Sequence, residues 1–181
     1  MTPTLLTSEE YLLIPDSGKP TELVKGVIVE RPFPMARHGQ ICATTSFLLS
    51  DYLHERPSGH VVCNNAGVIT ERSPDTVRGP DLSYYSFSRV PLGPMPAGWL
   101  NVLPEMVIEV RQRWDSWSDL RNRVIEFLNA GVSLVLVLDE ETGTAHVNSS
   151  DRPPYPVPAD GELDLSEVIP GLRLVVRRFF E

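Results

Sequence analysis

With 181 residues, 41% of them hydrophobic and 22% charged, the chain is long enough to bury a core and has the balance of a water-soluble globular protein, read here as one domain over residues 1–181. No apolar run approaches the roughly 20 residues of a membrane span, and no basic segment leads into an apolar one at the N-terminus, which predicts a cytoplasmic protein without membrane partners. The net charge of −8 argues against broad nonspecific adhesion to nucleic acid, leaves room for a local basic cleft, and suits a site that collects divalent cations.

Thr7-Ser8-Glu9-Glu10 has the form of a capping box ahead of Tyr11-Leu12-Leu13, so a short helix should start at Thr7 and end in the Pro15–Pro20 stretch. Glu22-Leu23-Val24 and Val27-Ile28-Val29 flank Lys25-Gly26, the pattern of a tight hairpin. From about His38 to Glu55, Ile41, Leu48, Leu49, Tyr52 and Leu53 recur at helical spacing, an amphipathic helix expected to serve packing on a sheet. Strands follow at His60–Cys63 and Gly67–Thr70, then a turn-rich link from Ser73 to Gly79, then a strand opened by an acid, Asp81. Cys42 and Cys63 form no Cys-x-x-Cys, so the expectation is two reduced core thiols and no zinc site. Prolines and glycines from Val90 to Pro104 exclude regular structure there, with Trp99 as a possible anchor.

The stretch from Pro104 to Asp139 reads as strand, helix, strand, with apolar runs of the kind that central strands covered on both faces show. Within it Glu109 and Arg111 share a face by strand alternation with Val107, opposite Met106, Ile108 and Val110. A carboxylate inside such a strand is costly unless a cation or hydrogen bonds meet it. The plain alternative is a strand end where Glu109 and Arg111 reach water or each other. Ser116 and Asp119 offer a second cap; Leu120, Val124, Phe127 and Leu128 form a buried stripe up to Gly131. Arg123 lies on the flank of that stripe, either within reach of the sheet edge or paired in solvent with Asp119, which itself serves as a helix cap. Thr144–Val147 and Leu172–Val176 should be late strands along one edge of the sheet.

Asp81 and Glu109, each on a core strand and each followed by a basic residue, form a pattern that metal-dependent phosphodiester cleavage can use. Paired carboxylates hold Mg²⁺, and a nearby cation stabilises the pentavalent transition state. Taken in order, Glu22-Leu23-Val24-Lys25-Gly26, His38, Arg78-Gly79-Pro80-Asp81, Pro104-Glu105-Met106-Val107-Ile108-Glu109-Val110, Asn129-Ala130-Gly131-Val132 and Pro170-Gly171-Leu172 resemble the Uma-type restriction endonuclease family of the PD-(D/E)XK nuclease superfamily. The resemblance implies an α/β domain of the restriction-endonuclease-like fold, a mixed central sheet flanked by helices. It implies an Mg²⁺- or Mn²⁺-dependent DNA endonuclease acting as a homodimer, with Asp81 and Glu109 as metal ligands, Arg111 or Arg123 as the phosphate-side cation, and Glu22 and His38 at further family positions.

Two departures stand out. Gln112 stands where relatives usually carry a serine, and both candidate cations are arginines where a lysine is usual. A guanidinium can fork onto phosphate oxygens but cannot shuttle a proton. The sequence therefore also admits a catalytically degraded member that binds nucleic acid or a protein. Arg31, Arg37, Arg72, Arg78 and Arg89 are the further candidates for contacts with DNA.

Overall fold

The computed structural model describes residues 5–15 and 17–181; residue 16, within the Pro15–Pro20 stretch, lies outside them. A six-stranded sheet runs through the molecule in the order β10-β9-β8-β7-β6-β3: Tyr155–Val157, Thr144–Ser149, Leu134–Asp139, Met106–Arg111, Leu82–Ser86 and Gly59–Cys63. β7 and β8 are parallel and the other pairs antiparallel, so the sheet is mixed. The parallel pair needs a crossover, which α3 (Trp117–Ala130) supplies. All six residues of β7 and all six of β8 are buried, the consequence of helices on both faces.

Strand alternation divides the core. Met106, Ile108 and Val110 face α2 (Ala36–Glu55) and pack with Ile41, Leu48, Leu49 and Leu53. Val107, Val135 and Val137 face α3 and pack with Leu120, Val124 and Phe127. Ser116 Oγ caps α3 by accepting from the Asp119 N–H, and Gly131 ends it in the left-handed conformation at φ 113°.

A second sheet lies beside this frame in the order β2-β1-β5-β4: Val27–Glu30, Thr21–Val24, Thr76–Arg78 and Val68–Glu71. The β1–β2 hairpin turns at Lys25 and Gly26, with φ of 49° and 76°, a pair of positive values that the tight primed turn requires. β5 falls inside the stretch expected to be a turn-rich link. It is only three residues long, so alternation within it is too short to register, and its pairing with β1 and β4 is what makes it a strand. The C-terminal expectation also changes. Arg173–Val175 (β12) pairs with Glu162–Asp164 (β11) in a separate two-stranded sheet rather than along the main one, and a 3-10 turn over Val176–Phe180 then packs on α2.

The N-terminal helix α1 (Ser8–Leu12) carries the expected capping box, Thr7 Oγ1 accepting from the Glu10 N–H while the Glu10 carboxylate accepts from the Thr7 N–H. Asp75 fastens it: the carboxylate accepts from the N–H of Ser8 at 2.8 Å and of Ser73 at 3.1 Å, and from Arg72 at 2.9 Å. Trp99, in the proline-rich loop, donates its indole N–H to the Ser8 carbonyl at 2.9 Å and stacks on Tyr11. The Ser8 N–H bond, with the Ser73 and Arg72 contacts, holds the Asp75 carboxyl down at about 2 against its burial. Because the folded value lies below the unfolded one, this stabilisation is complete above the unfolded pKa of about 4 and fades as pH falls toward 2. In urea titrations, wild type minus Asp75→Asn should show a stability difference that is constant near neutrality and shrinks below pH 4; a pH-independent difference would contradict this assignment.

Candidate active site

The pairing between β6 and β7 runs from Tyr84↔Met106 to Leu82↔Ile108 and stops, while β7 continues for three more residues paired only with β8. The strands open at this point. Val110 would leave an N–H unpaired there, and Asp81, the residue just before β6, accepts it on Oδ2 at 2.7 Å. The other carboxylate oxygen, Oδ1, lies 3.1 Å from His38 Nε2 in the first turns of α2. The helix expected to serve packing thus also presents a polar group to the site. Burial alone would lower His38, but the bonds to Asp81 and Cys42 raise it to about 10.

Glu109 enters from the other face. Its Oε1 accepts from Arg123 Nη2 at 2.8 Å, and Arg123 Nη1 donates to both oxygens of Glu22 at 2.7 and 2.8 Å. Glu22 also accepts from the Gly79 N–H at 3.0 Å and from Arg78 at 3.1 Å, and Arg78 is forked onto Glu126. The result is an alternation of charge, buried at Glu109, Arg123 and Glu22 and part-buried at Arg78 and Glu126, drawn from β7, α3, β1, β5 and α3. Burial would raise Glu22, but the Arg123 charge and its hydrogen bonds hold it below the usual carboxylate range. Glu109 behaves differently. Burial, with the charge of Asp81 added, lifts it above that range despite the pull of Arg123. Arg123 is therefore neither at the sheet edge nor paired with Asp119, which is exposed; it is a buried bridge between two strands.

Arg111, expected on the face of Glu109, is on that face but points away from the site. Its Nη1 donates to Asp139 at 2.7 Å and to Glu141 at 3.2 Å, and its guanidinium stacks on Trp117. Gln112 accepts the Met35 N–H at 3.1 Å on Oε1 and so ties the start of α2 to the end of β7. A cavity of about 760 Å³ is lined by Glu22, His38, Asp81, Glu109, Gln112 and Arg123, but not by Arg111. Arg31, half exposed, also lines it, 3.8 Å from Glu22. The other candidates for DNA contacts are occupied elsewhere: Arg37 by the Phe180 carbonyl, Arg72 by Glu9 and Asp75, Arg78 by Glu126, Arg89 by Glu105.

Sequence reasoning missed Asn64, Asn65 and Asp115 among the lining residues. Asn64 and Asn65 have φ of 67° and 54°, and an Asn-Asn pair between two strands was the available signal, because asparagine tolerates the left-handed region. No local signal marks Asp115, which accepts the Gln112 N–H at 2.8 Å. Cys63, expected in the core, is exposed.

The donor set suits a hard divalent cation. Asp81 and Glu109 are carboxylates of like charge that line one polar cavity, and their oxygens are the donors such an ion takes.

A family model described as "Uma2: Putative restriction endonuclease" matches residues 8–177. The fold is similar to the crystal structure of a "putative nuclease belonging to DUF820" from Anabaena variabilis ATCC 29413, with a TM-score of 0.82, 18% identity and 97% of each chain covered. No curated protein matches the chain in sequence.

Removing one member of a buried pair leaves the other charge without compensation, at a cost of about 3–5 kcal/mol. Glu22→Ala, which leaves Arg123 paired with Glu109 alone, should lose up to that much stability in urea denaturation, whereas Asp119→Ala at the exposed start of α3 should lose less than about 1 kcal/mol. Equal losses would mean that the buried bridge does not hold β1 to α3.

Proposed function

Since the chain belongs to the Uma2 family of restriction-endonuclease type, a nuclease family, we propose that it hydrolyses phosphodiester bonds of DNA in the PD-(D/E)XK manner, with Mg²⁺ or Mn²⁺ bound by Asp81 and Glu109. The observation that carries this reading is that these two carboxylates, one on β7 and one on the residue just before β6, line one cavity where the strand ladder opens. When bound, the cation supplies polarisation of the phosphate and a lowered pKa for a coordinated water.

The chain's own residues do the positioning. The Val110 N–H and His38 fix Asp81, so its carboxylate loses little freedom on taking up a ligand. Arg123 fixes Glu109 and offsets the charge of Glu22 behind it. With both Nη groups occupied by carboxylates, Arg123 acts on the metal-binding carboxylate and not on a phosphate. Arg31, half exposed on the same cavity, is the cation better placed for phosphate oxygens.

A specific observation favours a second reading. Arg123, at the position where the resemblance implies a lysine, is held between two acids and cannot release a proton. If the reaction requires a proton transfer at that position, this chain is a degraded member that binds nucleic acid or a protein without cutting.

Supercoiled plasmid incubated with Mg²⁺ or Mn²⁺ separates the two. Cleavage by the wild type that falls about a hundredfold or more in Asp81→Asn and Glu109→Gln supports the enzyme. Cleavage that appears only in Arg123→Lys supports a lost proton-transfer group. Silence of the wild type, Arg111→Lys and Arg123→Lys with both metals, on single- and double-stranded DNA, leaves the binding module. For binding, Arg31→Ala should reduce the slope of log K against log salt by about 1, the loss of one phosphate contact; an unchanged slope would remove Arg31 from the interface.

A further inference from the structure

On the α2 side of Asp81 a different set of donors converges. Cys42 follows His38 by one helical turn and so shares its face of α2, and the Cys42 Sγ lies 3.5 Å from His38 Nδ1. One ring nitrogen of His38, the Cys42 sulfur and a carboxylate oxygen of Asp81 all lie within 4.8 Å of one another. His38 and Asp81 already approach to 3.1 Å. These three residues line a second cavity, of about 560 Å³, which meets the first at Pro34, His38, Asn64, Asn65 and Asp81.

We propose that His38, Cys42 and Asp81 form a second, mutually exclusive cation site, selective for a thiophilic ion of the Zn²⁺ class, that shares Asp81 with the hard-cation site. One nitrogen, one sulfur and one oxygen donor is a borderline-soft set that zinc accepts and magnesium does not. Zinc bond lengths of about 2.0–2.3 Å place tetrahedral donors roughly 3.3–3.7 Å apart; Cys42 now meets Nδ1 and Asp81 meets Nε2, so ligation through one nitrogen requires the imidazole to turn from between them. Three protein donors leave the fourth tetrahedral position to a water. His38 ligates as a neutral imidazole and Cys42 as a thiolate, so binding releases the protons these donors carry.

The consequence for cleavage rests on the nuclease reading: an ion on this side occupies Asp81 and keeps it from pairing with Glu109 around Mg²⁺. The site itself does not rest on that reading, and Co²⁺ tests it without any activity. Titration of the metal-free protein with Co²⁺ alone should give one equivalent of a four-coordinate visible spectrum with a thiolate charge-transfer band in the near ultraviolet, bleached by Zn²⁺. Cys42→Ser should abolish the charge-transfer band and weaken Co²⁺ binding by about tenfold or more, while Cys63→Ser keeps both. His38→Gln should weaken binding in the same way and keep the thiolate band, a second check that does not depend on the folding of Cys42→Ser. Absence of the band in the wild type, or its loss only in Cys63→Ser, would overturn the site. If the wild type cuts DNA, Zn²⁺ should inhibit it and Cys42→Ser should resist. Inhibition that is unchanged in a folded Cys42→Ser would overturn the shared-Asp81 assignment, while an inactive wild type with an intact Co²⁺ spectrum would leave the site standing and count against the nuclease alone.

Discussion

The Arg123 guanidinium lies buried between Glu22 and Glu109, and most of what surrounds the cavity is arranged to make that arrangement tolerable. Taking three charges out of water costs several kcal/mol for each ion, and only close hydrogen bonds offset such a cost. They are present on nearly every atom: both Nη groups are bound to carboxylates, and Glu22 takes further donors from the Gly79 N–H and Arg78. Arg123 Nε has no partner among the described residues. The bridge connects β1 of the smaller sheet to β7 of the larger through α3, so the position of Glu109 depends on the docking of the two sheets.

The opening of the β6–β7 ladder is the second constraint. Where two antiparallel strands part, backbone donors on the inner edge lose their partners, and in a region covered by helices water does not replace them. Asp81 satisfies the Val110 N–H, which fixes an acid at the place where the cavity begins. One side chain therefore repairs the sheet and points its second oxygen at His38. Asp81 thus answers a backbone necessity, whatever else it does in the cavity.

Charge economy shapes what the surface can do. Arg72, Arg78, Arg89, Arg111 and Arg123 are all spent on carboxylates of the same chain. An acidic protein that uses its arginines internally has few left for phosphates, and any hold on nucleic acid must rest on a small number of contacts together with bound cations.

Local signals determined much of the framework. The apolar runs at Met106–Arg111 and Leu134–Asp139, the Ser116 cap and the Gly131 stop are written in neighbouring residues, because strand alternation and helix capping act over a few positions. The order of short motifs carried the family, and strand alternation put Glu109 on the face opposite Met106, Ile108 and Val110. What the sequence could not decide is which charge meets which. Glu22 and Arg123 are 101 positions apart, and Arg111, two residues from Glu109, turns instead to Asp139. The same limit hid β5, whose three residues are a strand only because β1 and β4 flank them, and it hid the meeting of Cys42 and His38 with Asp81. Spacing along one helix or strand fixes a face, whereas a buried ion finds its partner only after separate elements dock, since desolvation makes the pairing obligatory and chain separation leaves no local trace of it.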